Sequence, residues 1–425
     1  MKSFTGKINY FSALFILVTI SPSFSQDAFK PAIRFAYSSA YHIDIFDTLK
    51  HEKIAPHPDS VPQKDVMDVA KKVIPFIKTN SDSGKIKPGK ILPAFYPAIG
   101  YTLAAGWLAS ASFNLSLYTS APDSTNLSVV QSEAEYSLKH QLILSFIPTF
   151  WTAKNKINII GDWRFYIYPS NTYGLGTHTS LLNADPVDYS YLKIYEEVLR
   201  HFSSFYYIGG GYNLDYHYKI KELGQNGDFE SYNQNATSTS SSGLIAHFMY
   251  DNRTNMNNPK KAFYLSLIYR YNSTLLGSSN DWQYAQLKIQ KYFSIGKCVL
   301  ALWNWNEFTF GGKAPYFDLP SNGWDTYGNT GRGYIQSRFR GQNMVYLESE
   351  YRFPLTKNGL FGGVAFVNCE SESQYPSGKF AYLAPAEGLG IRIKMNKKSD
   401  VNLCIDYGVG TGGSNGFFFN LGEVF

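Results

Sequence analysis

The stretch Ala262-Phe-Tyr-Leu-Ser-Leu-Ile-Tyr-Arg-Tyr-Asn272 decides the fold. Phe263, Leu265, Leu267 and Tyr269 recur at every second residue, the period at which the side chains of a strand share a face. The opposite face carries Ser266 and Arg270, but also Tyr264, Ile268 and Asn272, so it is not uniformly polar. The run is about as long as a tilted strand needs to be to cross a bilayer, roughly 9–11 residues. Similar runs of about ten residues, separated by turn signals, fill residues 90–425, some with looser alternation, as between Lys139 and Phe150. About 16 can be traced, an even number as single-chain bacterial barrels require. The spacing therefore predicts an all-β fold, a transmembrane antiparallel β-barrel of about 16 strands.

Composition supports this reading. The chain has 33 Tyr, 31 Phe and 7 Trp, which make it 17% aromatic, yet its mean hydropathy is −0.23. A membrane barrel combines the two because alternate residues face lipid and a polar lumen, with aromatic girdles at both interfaces. A secreted sandwich or propeller would carry less Tyr and Phe. The net charge of +6 is spread along the chain rather than clustered, which argues against a nucleic-acid partner. Cys298, Cys369 and Cys404 are odd in number and each falls in a predicted strand, so they read as small apolar fillers rather than a disulfide framework.

The beginning of the chain sets the expected compartment. Lys2 and Lys7 precede an apolar run from Tyr10 to Ile20, and Ser21-Pro-Ser-Phe-Ser25 supplies small residues ahead of Gln26. That order predicts a signal peptide over residues 1–25. Its apolar run is about half the ~20 residues a spanning helix needs, and no longer run follows it. The expected location is the outer membrane of a Gram-negative bacterium, in contact with lipid and lipopolysaccharide. Residues 26–89 are of another kind, a periplasmic or plug segment with one helix, in which Val66, Val69, Ala70 and Val73 fall at helical spacing before Pro75. Whether that segment is an arm or threads the lumen is left open at this level.

Connection lengths assign the two ends. Ala153–Lys156, Ser294–Lys297, Thr356–Gly359 and Asn396–Ser399 are tight and read as periplasmic turns, whereas 171–186, 222–241 and 311–342 are long and read as external loops.

One long stretch carries the functional signal: Gly331-Arg-Gly-Tyr-Ile-Gln-Ser-Arg-Phe-Arg-Gly-Gln-Asn-Met-Val-Tyr-Leu-Glu-Ser-Glu-Tyr-Arg-Phe-Pro-Leu355. A guanidinium inside a narrow lumen must find acceptors, and a carboxylate offers the strongest paired geometry. Glycines on either side let the loop backbone pack closely. Taken alone, the same residues also suit a surface loop with a solvated arginine. The stretch resembles the barrel of the BamA/TamA superfamily, also called bacterial surface antigens, in which an Arg-Gly-Tyr/Phe loop tip folds back into the lumen. The resemblance extends across residues 90–425, beginning with Leu92–Tyr101 as a first strand that looks short.

The resemblance implies a lumen loop lock formed by Arg332, Gly333 and Tyr334, with Glu350 on the following strand, Val345–Phe353, as the carboxylate partner. Asn368 stands where many relatives carry Asp, so a second acid is either missing or relocated to Asp406 or Glu370. Asp251-Asn-Arg253 with Pro259 matches the superfamily's Asp-x-Arg turn, although Asp, Asn and Pro also suffice for an ordinary turn. Both readings make it periplasmic. Phe417–Phe425 alternates and stops on an aromatic residue, as in barrels handed to assembly machinery. Pro97 and Tyr101 on the first strand, with Phe417, Phe419 and Phe425 on the last, are expected to form a lateral seam with the weakest pairing, since Pro97 withholds a donor.

No enzyme, cofactor or metal is expected. The eight histidines are scattered without ligand spacing, and there is no Ser/His/Asp set or phosphate loop. Asp162, Asp251 and Glu350 read as lumen charges rather than a carboxylate site, and Gly174-Leu-Gly176 as loop backbone. Founding members of the superfamily carry periplasmic POTRA repeats, whereas residues 26–89 show at most one helix and no convincing strand. The resemblance thus implies assembly, insertion or translocation of outer-membrane components, by an accessory subunit working with other outer-membrane or periplasmic proteins. A passive porin and a structural surface antigen are the alternatives.

Overall fold

The computed structural model describes residues 61–73, 87–224, 227–232, 236–397 and 399–425. The expected signal peptide, and the 26–89 segment apart from residues 61–73 and 87–89, lie outside the described residues.

Alternation becomes strand almost everywhere from Leu92 onward. The strands are β1 (Leu92–Thr102), β2 (Gly106–Leu117), β3 (Ser128–Ser137), β4 (Leu142–Trp151), β5 (Ile157–Ile167) and β6 (Ser170–Thr172). They continue as β7 (Asp185–Ser203), β8 (Tyr206–Glu222), β9 (Ser238–Asp251), β10 (Ala262–Asn272), β11 (Trp282–Ile295) and β12 (Cys298–Phe310). The last five are β13 (Asn343–Pro354), β14 (Phe361–Glu372), β15 (Ala384–Asn396), β16 (Val401–Gly410) and β17 (Asn415–Leu421). Sequence neighbours pair antiparallel except β5 and β6, which both lie along β7, so β6 continues β5 after a short break. Among the described residues, these seventeen strands therefore occupy sixteen places around the sheet.

The sheet is apolar outside and polar inside. On β10, Leu267, Tyr269 and Tyr271 are exposed, while Ser266, Arg270 and Asn272 on the opposite face are buried. This inversion of the usual globular order is what a lipid surround favours, because apolar side chains lose nothing there and the strands pair their N–H and C=O groups with one another. Among the described residues, no helix is long and apolar enough to cross a membrane.

Strand direction sorts the connections by end. The tight links after β4, β11, β13 and β15 share one end of the sheet, while the loops after β6, β8 and β12 lie at the other. The 311–342 connection is the longest of these. At the tight-turn end sits α1 (Val66–Val73). Asp65 and Asp68 cap its start reciprocally, the Asp68 N–H donating to Asp65 Oδ1 at 2.9 Å and the Asp65 N–H to Asp68 Oδ2 at 3.1 Å. The N–H of Lys64 donates to the Asn358 carbonyl at 2.9 Å, and the Lys397 N–H to Asp65 at 3.1 Å, so this helix docks on two tight turns rather than in the lumen.

Two expectations about the seam are corrected. The first strand is not short: β1 runs for 11 residues and pairs with β2 along its whole length, from Leu92↔Ser116 to Thr102↔Gly106. Pro93 and Pro97 are four residues apart, so their missing donors fall on one edge and leave the other intact. The last strand does not reach Phe425. β17 has 7 residues and ends at Leu421, because Gly422 takes a φ of +92° and turns the chain inward. Glu423, Val424 and Phe425 are buried as a result. Pro97 lies opposite Ala111 and Tyr101 opposite Trp107, while Phe417 and Phe419 face Tyr407 and Ile405. Phe418, Phe419 and Asn420 of β17 each make further interactions.

Candidate functional site

The 311–342 connection does not project from the barrel end. Its tip, Gly331-Arg-Gly-Tyr334, is buried against the inner faces of β13 to β16, and Arg332 is 0% exposed. The Arg332 guanidinium meets Glu348 and Glu350 on β13 through Nη2, and Asp406 on β16 through Nη1 at 2.5 Å. Its plane also lies over the Phe366 ring of β14, 3.8 Å from the centroid. The two β13 acids share a face because they are two residues apart on a strand.

The anchor extends beyond one arginine. Arg352, two residues further along β13, holds Glu350 at 2.6 Å, and Arg392 on β15 reaches Asp406 as well as Glu423 at 2.7 Å. Glu423 belongs to the inward-turned tail, where its carboxylate also accepts from Asn402 at 2.6 Å. The tail and the loop touch directly, Asn329 donating to the Val424 carbonyl at 2.9 Å. The Phe425 carbonyl accepts from Arg352 at 2.9 Å, and its ring packs 5.1 Å from that of Trp303. Three guanidiniums thus face four carboxyl groups in one buried network that joins loop, wall and tail. Pairing of this density is what removing charges from water demands.

The small residues at the tip are there for space. Gly333 has a φ of +114°, and a Cβ on it would lie 2.7 Å from that of Ala386. On the wall, a Cβ at Gly390 would lie 1.7 Å from Asp406 Oδ1, so β15 is bare where the acid crosses it. Tyr334 fixes the far side of the tip, its hydroxyl donating to the Pro385 carbonyl at 2.6 Å. Asn368 donates from Nδ2 to the Arg332 carbonyl at 2.8 Å, a neutral bond to the backbone rather than a charge partner.

Of the residues read from sequence, Arg332, Gly333, Tyr334, Glu350 and Asn368 all meet here. Asp406 takes up the second-acid position, whereas Glu370 is buried without a hydrogen-bond partner among the described residues and does not reach Arg332. Sequence reasoning missed Glu348, Arg352, Arg392 and Glu423. Glu348, Glu350 and Arg352 alternate on one face of a predicted strand, which was a readable signal. Glu423 was hidden by the expectation that the last strand continues to the end.

The other residues read as special stand elsewhere. Asp251 and Arg253 form a two-pronged pair in the β9–β10 turn, at 2.9 and 2.8 Å, with Pro259 buried in the same turn. Asp162 pairs with Arg164 and Lys193, apart from both Asp251 and Glu350. Gly174 and Gly176 use their N–H groups for loop bonds to Asp228 and Arg340. All three cysteines are free, and no metal-binding group of His, Cys, Asp or Glu occurs among the described residues.

No family model and no curated protein matches the chain. Solved structures do. BamA from Haemophilus ducreyi lacking POTRA domains 1–3 superposes with a TM-score of 0.52 at 14% identity, over 77% of this chain and 69% of that one. CdiB from Acinetobacter baumannii gives 0.50 at 11% identity, over 77% of this chain and 59% of that one. At such identities the likeness speaks for the fold, and it agrees with the sixteen-place antiparallel sheet and its inside-out faces. The chain has the fold of a BamA/TamA-like β-barrel.

Proposed function

We propose that this chain is a BamA-like barrel of the outer membrane, with a lumen locked by its own long loop, that serves assembly, insertion or translocation of outer-membrane components. The observation that carries the reading is the buried clamp of Arg332 on Glu348, Glu350 and Asp406. A freely conducting pore has no use for a buried guanidinium that draws a 32-residue loop across its opening. Arg332, Gly333, Tyr334, Glu350 and Asn368 act as the lock, and the Asp251–Arg253 turn braces the tight-turn end. The seam between the first and last strands is then the movable part, with Pro97, Tyr101, Phe417 and Phe419 on its two sides. Phe425 belongs to the lock instead.

As an accessory subunit, the barrel works with other outer-membrane or periplasmic proteins, and α1 on the tight turns offers them a docking point. The test combines affinity purification of the tagged full chain from outer membranes with conductance in planar bilayers. Reproducible co-purification of envelope proteins with little conductance supports the reading. A large steady conductance with no co-purifying protein would instead make it a passive porin, and neither conductance nor partner would leave a structural surface antigen.

A further inference from the structure

We propose that the outer face of β12 is a contact surface for a second copy of this chain, joined through a pair of asparagines in the lipid-facing wall. Along β12 the outward row is Leu302, Asn304, Asn306, Phe308 and Phe310, since Ala301, Trp303 and Trp305 between them are buried on the inner face. Asn304 is the middle residue of the 13 in the strand. About 9–11 residues of tilted strand cross the hydrocarbon, so both amides stand at its depth.

Their neighbours across the ladder are apolar. Asn304 lies between Ile289 of β11 and Leu347 of β13, and Asn306 between Leu287 and Val345. Leu347 is 54% exposed, and Leu302, one step toward the tight-turn end, is 39% exposed. The polar pair is thus set among apolar side chains at a level that water does not reach.

The two amides satisfy each other only in part. Asn304 Nδ2 donates to Asn306 Oδ1 at 3.1 Å, and Asn306 Nδ2 returns the bond to Asn304 Oδ1 at 2.6 Å. Asn304 Nδ2 also donates to the Tyr346 carbonyl at 3.1 Å. A side-chain amide has two N–H donors and an oxygen with two lone pairs. Both donors of Asn304 are therefore engaged, whereas among the described residues Asn306 keeps one N–H, and each oxygen one lone pair, without a partner. Polar groups left open in hydrocarbon are costly, and asparagines in membranes meet that cost by bonding across to a neighbouring protein element.

Symmetry selects the occupant. Copies of one protein in one membrane stand the same way up, so two of them meet about an axis along the membrane normal and present the same patch to each other. Such a contact must be self-complementary. An open N–H beside an open amide oxygen meets that condition: Asn306 of each copy donates to an amide oxygen of the other, and Leu302 and Leu347 pack around the bonds. A lipid tail offers neither donor nor acceptor, and a different protein would have to supply a matching amide. The contact requires only that the wall face lipid, whatever the barrel assembles or translocates.

The test places the full chain, carrying one dye on an N-terminal peptide tag, in phosphatidylethanolamine–phosphatidylglycerol vesicles at a series of protein-to-lipid ratios, and counts bleaching steps per spot. Spots with two steps should rise with the ratio as a dimer equilibrium requires. Asn306→Leu should weaken dimerisation about tenfold, since the symmetric contact loses two hydrogen bonds at once. Leu347→Trp leaves the amides in place but fills the space that a second copy would occupy, and should weaken dimerisation at least as much. As a change on the lipid-facing surface, it carries the test if Asn306→Leu fails to give a heat-modifiable barrel. Single steps at every ratio, with or without another envelope protein bound, or wild-type dimerisation in either folded variant, would overturn the proposal while leaving the locked lumen standing.

Discussion

Arg332→Ala is the perturbation whose cost follows most directly from the geometry. Removing the guanidinium leaves three acids behind, and their remaining partners differ. Asp406 keeps Arg392, and Glu350 keeps Arg352 at 2.6 Å and Arg392 at 3.7 Å. Among the described residues, Glu348 keeps only the hydroxyl of Tyr346 as a hydrogen-bond partner. One buried carboxylate is therefore stranded, at a cost of about 3–5 kcal/mol. At about 1.4 kcal/mol per factor of ten, the released loop becomes roughly a hundred- to several-thousand-fold more populated. The assay is limited proteolysis of the 311–342 loop in the purified barrel, at protease low enough that reclosing outruns cleavage and the rate follows the open population.

Glu350→Gln should behave differently. Were Glu350 the sole carboxylate at Arg332, the substitution would loosen the loop nearly as much as Arg332→Ala. In the structure, neutralising Glu350 leaves Arg332, Arg352 and Arg392 facing Glu348, Asp406 and Glu423, three charges against three. Hydrogen bonds weaken but no charge is stranded, so the expected loss is about 1–2 kcal/mol. Adding Glu348→Gln to Arg332→Ala should recover part of the loss. Nicking of Arg332→Ala at the wild-type rate, or no recovery in the double variant, would refute the reasoning.

Further consequences concern the tip, the tail and the turn. Gly333→Ala forces a side chain into a backbone with φ +114° and into contact with Ala386, and should cost about 1–3 kcal/mol, read as faster loop nicking. Phe425→Ala empties the space beside Trp303 and Tyr292; a loss of about 3 kcal/mol is expected in denaturant unfolding of the detergent-solubilised barrel, with outer-membrane export unchanged if the tail acts from within the lumen. Arg253→Lys breaks the fork on Asp251 and the contact over the Tyr264 ring at 4.1 Å. It should lower the temperature of heat-modifiability on gels by an amount matching about 1–3 kcal/mol, whereas Arg253→Lys with an unchanged transition would make the turn an ordinary one.

Much of the fold was legible because a membrane barrel writes itself at period two. β10 was readable to the residue, since its outward row of Phe263, Leu265, Leu267 and Tyr269 needs no tertiary knowledge. The lock was half legible for a similar reason: Arg332 follows from a loop motif, and Glu350 from its place on the next strand. Glu348 and Arg352 repeat Glu350's face, but nothing local says that three neighbouring charges serve one distant guanidinium. Arg392 and Asp406 come from β15 and β16, two and three strands away, and only strand pairing and the curvature of the sheet bring them to Arg332. The end of the chain misled for a physical reason. Phe417, Phe419 and Phe425 continue one parity on paper, and a single glycine at 422 in a left-handed conformation cancels it. β1 misled in the opposite direction, since Pro97 suggested a short, weak strand, whereas its missing donor falls on the same edge as that of Pro93 and leaves the other edge intact.

The central claim is that the long loop is held inside the lumen by Arg332, and an experimental structure of the full chain in lipid nanodiscs tests it most directly. The account predicts the Gly331–Tyr334 tip buried against β13 to β16, with the Arg332 guanidinium bonded to Glu348, Glu350 and Asp406 and the Phe425 ring beside Trp303. A loop that projects from the barrel end with Arg332 in water, over an open lumen, would contradict it.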